Sequence, residues 1–188
     1  LTELAKYIDW GPFFQTWDLA GPFPAILKDE VVGTEAVRVY ADAKRMLQRL
    51  IEGRWLSASG IVGFWPANTV NDDDIELYTD ETRSEVAMTW YGMRQQTEKQ
   101  VIDGVMRPSR CLADFVAPKD SGIQDYVGMF AVTAGLGVEK KEKAFVDDLD
   151  DYSAIMLKAL ADRLAEAFAE SLHHRVRTDL WGYAADEA

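Results

Sequence analysis

Cysteine is almost absent from this sequence, which has a single one, Cys111, among 188 residues. One thiol can form neither an internal disulfide nor a zinc site built from several thiolates, and its isolation favours a reducing compartment. Leu112 and Ala113 follow Cys111 and give it an apolar setting. We therefore expect a buried structural side chain there rather than a catalytic nucleophile.

Positive charge is also scarce, because 20 Lys and Arg residues face 32 Asp and Glu residues and leave a net charge of −12. Such a chain repels phosphate backbones and anionic lipids, so neither nucleic acid nor a membrane surface is an expected partner. No run approaches the roughly 20 apolar residues that cross a bilayer, and residues 1–9 do not resemble a signal peptide. We predict a cytoplasmic protein, whose acidity suits either plain solubility or docking to a basic partner.

The common catalytic and metal-binding motifs are missing as well. Residues 135–140 begin like a dinucleotide-binding loop, but Lys140 stands where the third glycine belongs. The only histidines, His173 and His174, would point about 100° apart on a helix and so do not form a metal-binding pair. The acidic stretch 72–76 lacks the spacing of a calcium loop and favours a solvated turn. We therefore predict no bound metal, haem or flavin.

Apolar surface, in contrast, is plentiful, at 48% of residues, which is enough for a core without covalent staples. The length suits one domain, residues 1–188. Prolines punctuate an aromatic-rich stretch at 9–30, which predicts an ordered loop or short turns. Apolar residues then recur every three or four positions, which predicts a helix over Gly33–Glu52, closed by Gly53.

Several shorter elements follow. The compact apolar run 61–67 predicts a buried strand, and residues 75–79, after a polar turn, predict its antiparallel neighbour. A helix is expected near 92–99, and strands are expected at 111–117 and 126–133.

The clearest element is an unbroken apolar stripe of strong helix formers near the end of the chain. It predicts one long C-terminal helix that begins at about 147–151 and runs to Thr178, with four aspartates at the positive end of its dipole. Strands in the middle of the chain with helices on either side predict the α+β class.

Three carboxylates on this helix, Asp162, Glu166 and Glu170, stand four residues apart on one strip of its surface. Like charges at this spacing repel by a few tenths of a kcal/mol, which Lys158 and Arg163 soften. Two interpretations stay open: an ordinary solvated face, and a carboxylate held ready for a cationic ligand.

Separate blocks of the sequence share one resemblance. They include Ile-Asp-Trp-Gly-Pro-Phe-Phe at 8–14, Phe-Trp-Pro-Ala-Asn at 64–68 and Leu-Ala-Glu-Ala-Phe at 164–168. The full set follows one order along nearly the whole chain: 7–14, 17–21, 60–68, 73–78, 94–96, 111–118, 158–170, 175–177 and 181–183. In this it resembles the activation domain of cobalamin-dependent methionine synthase.

The resemblance implies a twisted antiparallel sheet flanked by helices, in a domain that binds S-adenosylmethionine as a methyl donor. It also implies docking over the corrin of a cobalamin-binding domain, so that cobalamin is contacted through a partner. An electron from a flavodoxin-like or diflavin reductase, together with the donor's methyl group, then restores methylcobalamin from inactive cob(II)alamin. No residue of the domain itself is implied to be catalytic.

The resemblance implies two ligand contacts, because Asp9 and Glu166 match positions of the family that contact S-adenosylmethionine. S-adenosylmethionine carries a sulfonium and an ammonium, and carboxylates pair well with such cations. Asp162, one turn before Glu166, matches a polar position nearer the docking surface. We therefore expect Asp9 and Glu166 to line one cleft near the concave face of the sheet, with the N-terminal loop folded back against the middle of the long helix. The expected apolar anchors of that loop are Trp10, Phe13 and Phe14.

The family's main S-adenosylmethionine motif, Arg-x-x-x-Gly-Tyr, does not occur in residues 1–188. Arg107 followed by Pro108 does not replace it, because that pair lies elsewhere in the family order, and Pro22 stands where relatives often carry a basic residue. We expect this chain to bind S-adenosylmethionine weakly or not at all, since a forked grip on the ligand's carboxylate is missing. The alternatives are a docking module for a cobalamin domain or a reductase, and an inactive fold fragment.

Overall fold

A computed structural model describes residues 1–99 and 101–187 of the chain. Its helices are α1 (Gly11–Gln15), α2 (Gly33–Glu52), α3 (Val138–Asp147) and α4 (Asp151–Arg175). Its strands are β1 (Ser57–Val70), β2 (Asp74–Tyr78), β3 (Val86–Trp90), β4 (Val101–Ile102), β5 (Val105–Met106) and β6 (Asp125–Leu136). Short 3-10 helices lie at Leu4–Tyr7, Ala25–Lys28, Leu112–Phe115 and Lys119–Ser121, and a π-helical turn, Val176–Leu180, follows α4.

The larger sheet is antiparallel and has the strand order β3-β2-β1-β6, while β4 and β5 form a separate hairpin. Ala67 of β1 lies opposite Leu77 of β2, and Leu77 lies opposite Met88 of β3. Residues that face each other across strands share one side of a sheet, so this register gathers apolar side chains on one face. The α+β class, the antiparallel sheet and the long C-terminal helix are therefore confirmed.

The chain divides into two compact units. Unit 1 comprises Leu1–Ile61 and Ala131–Ala188, and unit 2 comprises Val62–Phe130. The interpretation of residues 1–188 as one domain stays a prediction.

Unit 1 is built around helices α2 and α4, which contact each other. The predicted bounds of α2 are confirmed, and Gly53 is its C-cap, although the left-handed conformation that often ends a helix falls on Arg54, with φ 47°. Leu50 of α2 and Leu160 of α4 are both fully buried. Each such side chain contributes roughly 1.5–3 kcal/mol on burial, so this pair of helices is the centre of stability of the unit.

The start of α4 lies within the predicted range, at its last residue. Asp150 is its N-cap and accepts a hydrogen bond from the Ser153 N–H at 3.0 Å, and Asp151 is its first residue. Asp147, however, ends α3, and Asp148 caps that helix. Two of the four aspartates expected at the positive end of the long helix therefore lie at the negative end of a different helix, because α3 ends immediately before α4 begins.

The apolar core of unit 2 is small and includes Cys111, which is 4% exposed. The Sγ atom of Cys111 lies 3.6 Å from the carbonyl oxygen of Asp73. The prediction of a buried cysteine is confirmed.

Arg83 lies at the centre of a second, polar cluster in unit 2. Its guanidinium donates to the Ala67 carbonyl at 3.1 Å, to Asn68 Oδ1 at 2.7 Å and to the Asp125 carbonyl at 2.8 Å. The guanidinium also lies between two aromatic rings, Tyr78 at 5.6 Å and Tyr126 at 5.4 Å. One arginine therefore ties β1 to the start of β6 and to the chain after β2.

Two element predictions in unit 2 are wrong. Residues 92–99 form no helix, because the side chain of Arg94 is drawn to Asp73 and Asp114 instead. A Cβ atom added at Gly92 would also collide with the Asp73 carbonyl, so the chain passes too close there for an ordinary helix. Residues 111–117 form the 3-10 helix Leu112–Phe115 rather than a strand, since the Asp114 carboxylate accepts from the Cys111 N–H at 2.9 Å and folds the turn.

The run 61–67 is a strand, but most of it is not buried. Ile61 is 72% exposed and Trp65 is 37% exposed, and burial along β1 begins only at Pro66. The indole of Trp65 lies over Gly63, where a Cβ atom would collide with it. The apolar run therefore follows an open stretch of the sheet rather than the core.

Candidate functional site

Asp9 lies in unit 1, between the 3-10 helix Leu4–Tyr7 and α1. Its side chain is exposed, and its Oδ1 atom accepts a hydrogen bond from the Gly11 N–H at 2.9 Å. Pro12 sits in the first turn of α1, where its fixed φ is suited to start a helix. This short turn fixes the direction of the Asp9 carboxylate while leaving it open to solvent.

The expected aromatic anchors of the N-terminal segment are confirmed. Trp10 is 7% exposed, and Phe13 and Phe14 are fully buried. The Trp10 ring packs edge-on against Tyr40 of α2, with centroids 4.9 Å apart. Trp17, next in the same cluster, packs 5.0 Å from Tyr152 of α4. Aromatic burial of this kind supplies the area that holds a short segment in place.

Glu166 lies on the exposed side of α4, four residues after Asp162. Their side chains are 56% and 72% exposed, respectively. Arg163, only 12% exposed, donates from Nη2 to Asp162 Oδ2 at 2.7 Å and forms an ion pair from Nη1 with Glu166 Oε2. Lys158 pairs instead with Glu142 of α3 at 2.8 Å. Of the two cations expected to reduce the repulsion among these carboxylates, only Arg163 therefore contacts them.

The segment that carries Asp9 and the helix that carries Glu166 are in contact. Both the 3-10 helix Leu4–Tyr7 and α1 contact α4, and the three elements belong to unit 1. The predicted contact of the N-terminal loop with the long helix is therefore confirmed, while its place at the middle of that helix stays a prediction. That Asp9 and Glu166 line one cleft stays a prediction.

A cluster that the sequence did not reveal lies in unit 2. Arg94 grips both oxygens of Asp114 at 2.9 Å and donates to Asp73 at 2.8 Å. The bond from Arg94, followed by the bond from the Cys111 N–H, holds the pKa of Asp114 below its ordinary value. The predicted solvated turn at 72–76 is thus partly wrong, since Asp73 is engaged and Glu76 binds Lys119 at 2.7 Å.

Arg94, Asp114 and Lys119 border a cavity of about 800 Å³ in unit 2, with Thr69, Asn71 and Asp120 also in its wall. Its charged groups Arg94 and Lys119 are already paired with carboxylates, which argues for a structural role. The signal in the sequence was that residues 73–78, 94–96 and 111–118 belong to family blocks.

The two histidines lie together near the end of the long helix. His173 and His174 lie in the last turn of α4, and the part of the chain described by the structure contains no cluster of three potential metal ligands among its His, Cys, Asp and Glu residues. Within the same residues, no helix combines the length and the apolar character needed to cross a membrane.

The fold matches that of a reactivation domain of methionine synthase. The solved structure described as "Crystal Structure of the MetH Reactivation Domain bound to AdoHcy" is 56% identical in sequence and superimposes with a TM-score of 0.88. The match covers 98% of this chain and 55% of that one, so this chain spans about half the length of its relative.

The sequence profile of a family described as "Vitamin B12 dependent methionine synthase, activation domain" matches residues 1–188. The chain belongs to this family.

Proposed function

We propose that this chain forms part of an S-adenosylmethionine-binding reactivation domain, in which Asp9 and Glu166 contact the positive charges of the ligand. The observation that carries this proposal is the packing of the Asp9 segment against the helix that carries Glu166. The relative was solved with AdoHcy bound, the molecule that remains when S-adenosylmethionine gives up its methyl group. Both carboxylates are exposed, so a ligand can reach them.

Each carboxylate has a distinct task in this proposal. Asp9 is directed by its bond from the Gly11 N–H, and an oriented carboxylate loses less freedom when it binds a cation. Glu166 is directed by Arg163 on the same helix. Charge-assisted contacts to a sulfonium or an ammonium then hold the donor and orient its methyl group.

Cobalamin, when brought by a partner domain, supplies the methyl acceptor, and a flavodoxin-like or diflavin reductase supplies the electron. We propose these two partners and a cytoplasmic location for this chain as well. Asp162 is the residue of this chain that we assign to the docking surface, because its side chain is 72% exposed beside the Glu166 position.

The test uses Asp9→Asn and Glu166→Gln in the full-length protein. Each variant should weaken S-adenosylmethionine binding in calorimetry by about tenfold, since a charge-assisted contact becomes a neutral one. Each should also slow reactivation, while turnover started from methylcobalamin stays near normal, because that cycle does not use this ligand.

Two matched controls remove a neighbouring carboxylate in the same way. Asp18→Asn alters an exposed aspartate of the same N-terminal segment, and Glu170→Gln alters the exposed glutamate one turn after Glu166. Neither should change binding. If Asp9→Asn and Glu166→Gln bind and reactivate like the unaltered protein, the assignment of both residues is wrong.

The second candidate function is a docking module that does not bind S-adenosylmethionine. The exposure of Asp162 and Glu166, both more than half open to solvent, favours it over a deep ligand cleft. In that case Asp162→Asn and Glu166→Gln would both weaken association with the isolated cobalamin-binding domain, and calorimetry with S-adenosylmethionine would give no heat.

A further inference from the structure

Arg163 is a nearly buried cation placed between two exposed carboxylates of α4. Its side chain is 12% exposed, against 72% for Asp162 and 56% for Glu166. The spacing of three residues from Arg163 to Glu166 puts their side chains on the same face of the helix. Nη1 is buried and makes no hydrogen bond to any described residue, so its contact with Glu166 is an ion pair without hydrogen-bond geometry.

A positive charge at this place has two opposite consequences for a cationic ligand. By Coulomb's law alone it repels the ligand and weakens binding. It also restrains Glu166, whose long side chain would otherwise occupy many rotamers and lose that freedom when the ligand binds. Arg163 suits the second task, because its guanidinium is only 12% exposed and is anchored on Asp162 through Nη2, which keeps its charge in a fixed place beside Glu166.

We propose that Arg163 is a positioning residue that holds the Glu166 carboxylate in the direction from which it contacts the cationic ligand. The inference rests on the proposed function, because it needs Glu166 to be a ligand contact. It adds that Arg163 acts only through Glu166. Asp162 holds the other side of the guanidinium through its 2.7 Å hydrogen bond from Nη2.

The sign of the effect separates the two consequences. In the full-length protein, Arg163→Gln should weaken the binding of S-adenosylmethionine by about tenfold in calorimetry, as is usual when a supporting residue of a binding site is lost. Arg163→Lys keeps the charge but lacks the second nitrogen that is anchored on Asp162, so it should recover part of that loss. Tighter binding by Arg163→Gln would mean that charge repulsion dominates, and would overturn the proposal.

A double-mutant cycle tests whether Arg163 acts through Glu166. In a Glu166→Gln background, Arg163→Gln should change the dissociation constant by less than about twofold, because the restrained carboxylate is already gone. An unchanged tenfold loss in that background would show that Arg163 only supports the fold, and would overturn the proposal. If Arg163→Gln does not fold, the same cycle with Arg163→Lys decides between these outcomes.

Lys158→Gln is the matched control for charge. Lys158 lies on α4 five residues before Arg163, and its partner is Glu142 of α3. Lys158→Gln changes the net charge by the same amount as Arg163→Gln but leaves the contact between Arg163 and Glu166 in place. Binding should therefore change by no more than about twofold at moderate salt. A tenfold effect there would assign the loss to general electrostatics and overturn the proposal.

The failure of the proposed function gives a different pattern. If Glu166→Gln alone leaves the dissociation constant unchanged, Glu166 is not a ligand contact and both ideas fall together. If Glu166→Gln weakens binding while Arg163→Gln does not, the proposed function stands and the positioning role is wrong.

Discussion

In unit 1 the fully buried side chains include large apolar ones, such as Phe13, Phe14 and Leu160, which come from helices that lie far apart in the sequence. The apolar cluster of unit 2 has a different composition, with five buried members among the described residues: Ala67, Ile75, Leu77, Cys111 and Ala113. Burial of apolar area is non-directional and nearly independent of pH.

Unit 2 relies on arginines that bind carbonyls and carboxylates. Arg83 reaches three acceptors and Arg94 grips Asp73 and Asp114. Hydrogen bonds to charged groups are directional, and each is worth about 1.5–3 kcal/mol where its loss leaves an acceptor unsatisfied. Unit 1 is therefore stabilised mainly by apolar burial, and unit 2 depends more on directional hydrogen bonds from arginines. Substitutions in each unit can test this difference.

The largest effect is expected from Phe13→Ala in unit 1. Phe13 is fully buried, and removing a buried phenyl ring typically costs about 3–5 kcal/mol in the free energy of unfolding, because a cavity remains. Urea denaturation followed by far-UV circular dichroism measures this loss. Phe115→Ala in unit 2 is the matched control, since Phe115 is 71% exposed and its loss should stay within about 0.5 kcal/mol. Equal losses in the two variants would contradict an apolar centre at Phe13.

An intermediate effect is expected from Arg83→Met in unit 2. Methionine keeps much of the apolar stem but leaves the Ala67, Asn68 and Asp125 acceptors without their donor. The expected loss is about 2–3 kcal/mol, seen as faster amide exchange in β1 and β6 within unit 2. Arg107→Met, which removes the same charge at an exposed position, should leave exchange unchanged. If both variants behave alike, charge rather than the hydrogen bonds explains the result.

The smallest effect is expected from the exposed ion pair of Asp114. Arg94 and the Cys111 N–H lower the pKa of Asp114 from its ordinary value of 3.8. A carboxyl group with a lower pKa in the folded state stabilises the fold above its unfolded pKa, and this contribution is lost as the pH falls through the folded pKa. The stability difference between the unaltered chain and Asp114→Asn should therefore be largest near neutral pH and shrink below about pH 3.8.

Denaturation between pH 7 and pH 3 measures that difference. Asp120→Asn, which alters an exposed aspartate in the same unit, is the matched control for the loss of one negative charge. A difference for Asp114→Asn that stays constant over the whole range would show that the carboxylate charge does not contribute, and the contrast between the units would then rest on Arg83 alone.

The sequence predicted the secondary structure better in unit 1 than in unit 2. The bounds of α2 were predicted at Gly33–Glu52 because the apolar side chains that define it recur with the helical period. The segments 92–99 and 111–117 were misassigned, because the bonds that shape them join residues such as Arg94 and Asp114, which lie 20 positions apart. A local pattern contains no record of such a pairing.

The candidate site shows the same division. Periodicity alone left Glu166 on a solvated face, and only resemblance to a family assigned it, with Asp9, to a ligand. The sequence also placed Arg163 beside Glu166, but its 12% exposure is a property of the fold. That burial distinguishes a restrained guanidinium from one more surface charge.

By itself, the sequence determined the α+β class, the long helices, the aromatic anchors of the N-terminal segment and the family. Each of these depends on residue types at fixed spacings, which can be read directly from the amino-acid sequence. Only the tertiary structure decided where the helix after residue 150 begins, which carboxylates Arg94 binds and how deeply Arg163 is buried. Those properties depend on hydrogen bonds and packing between segments that are distant in the sequence. Such contacts exist only in the folded chain.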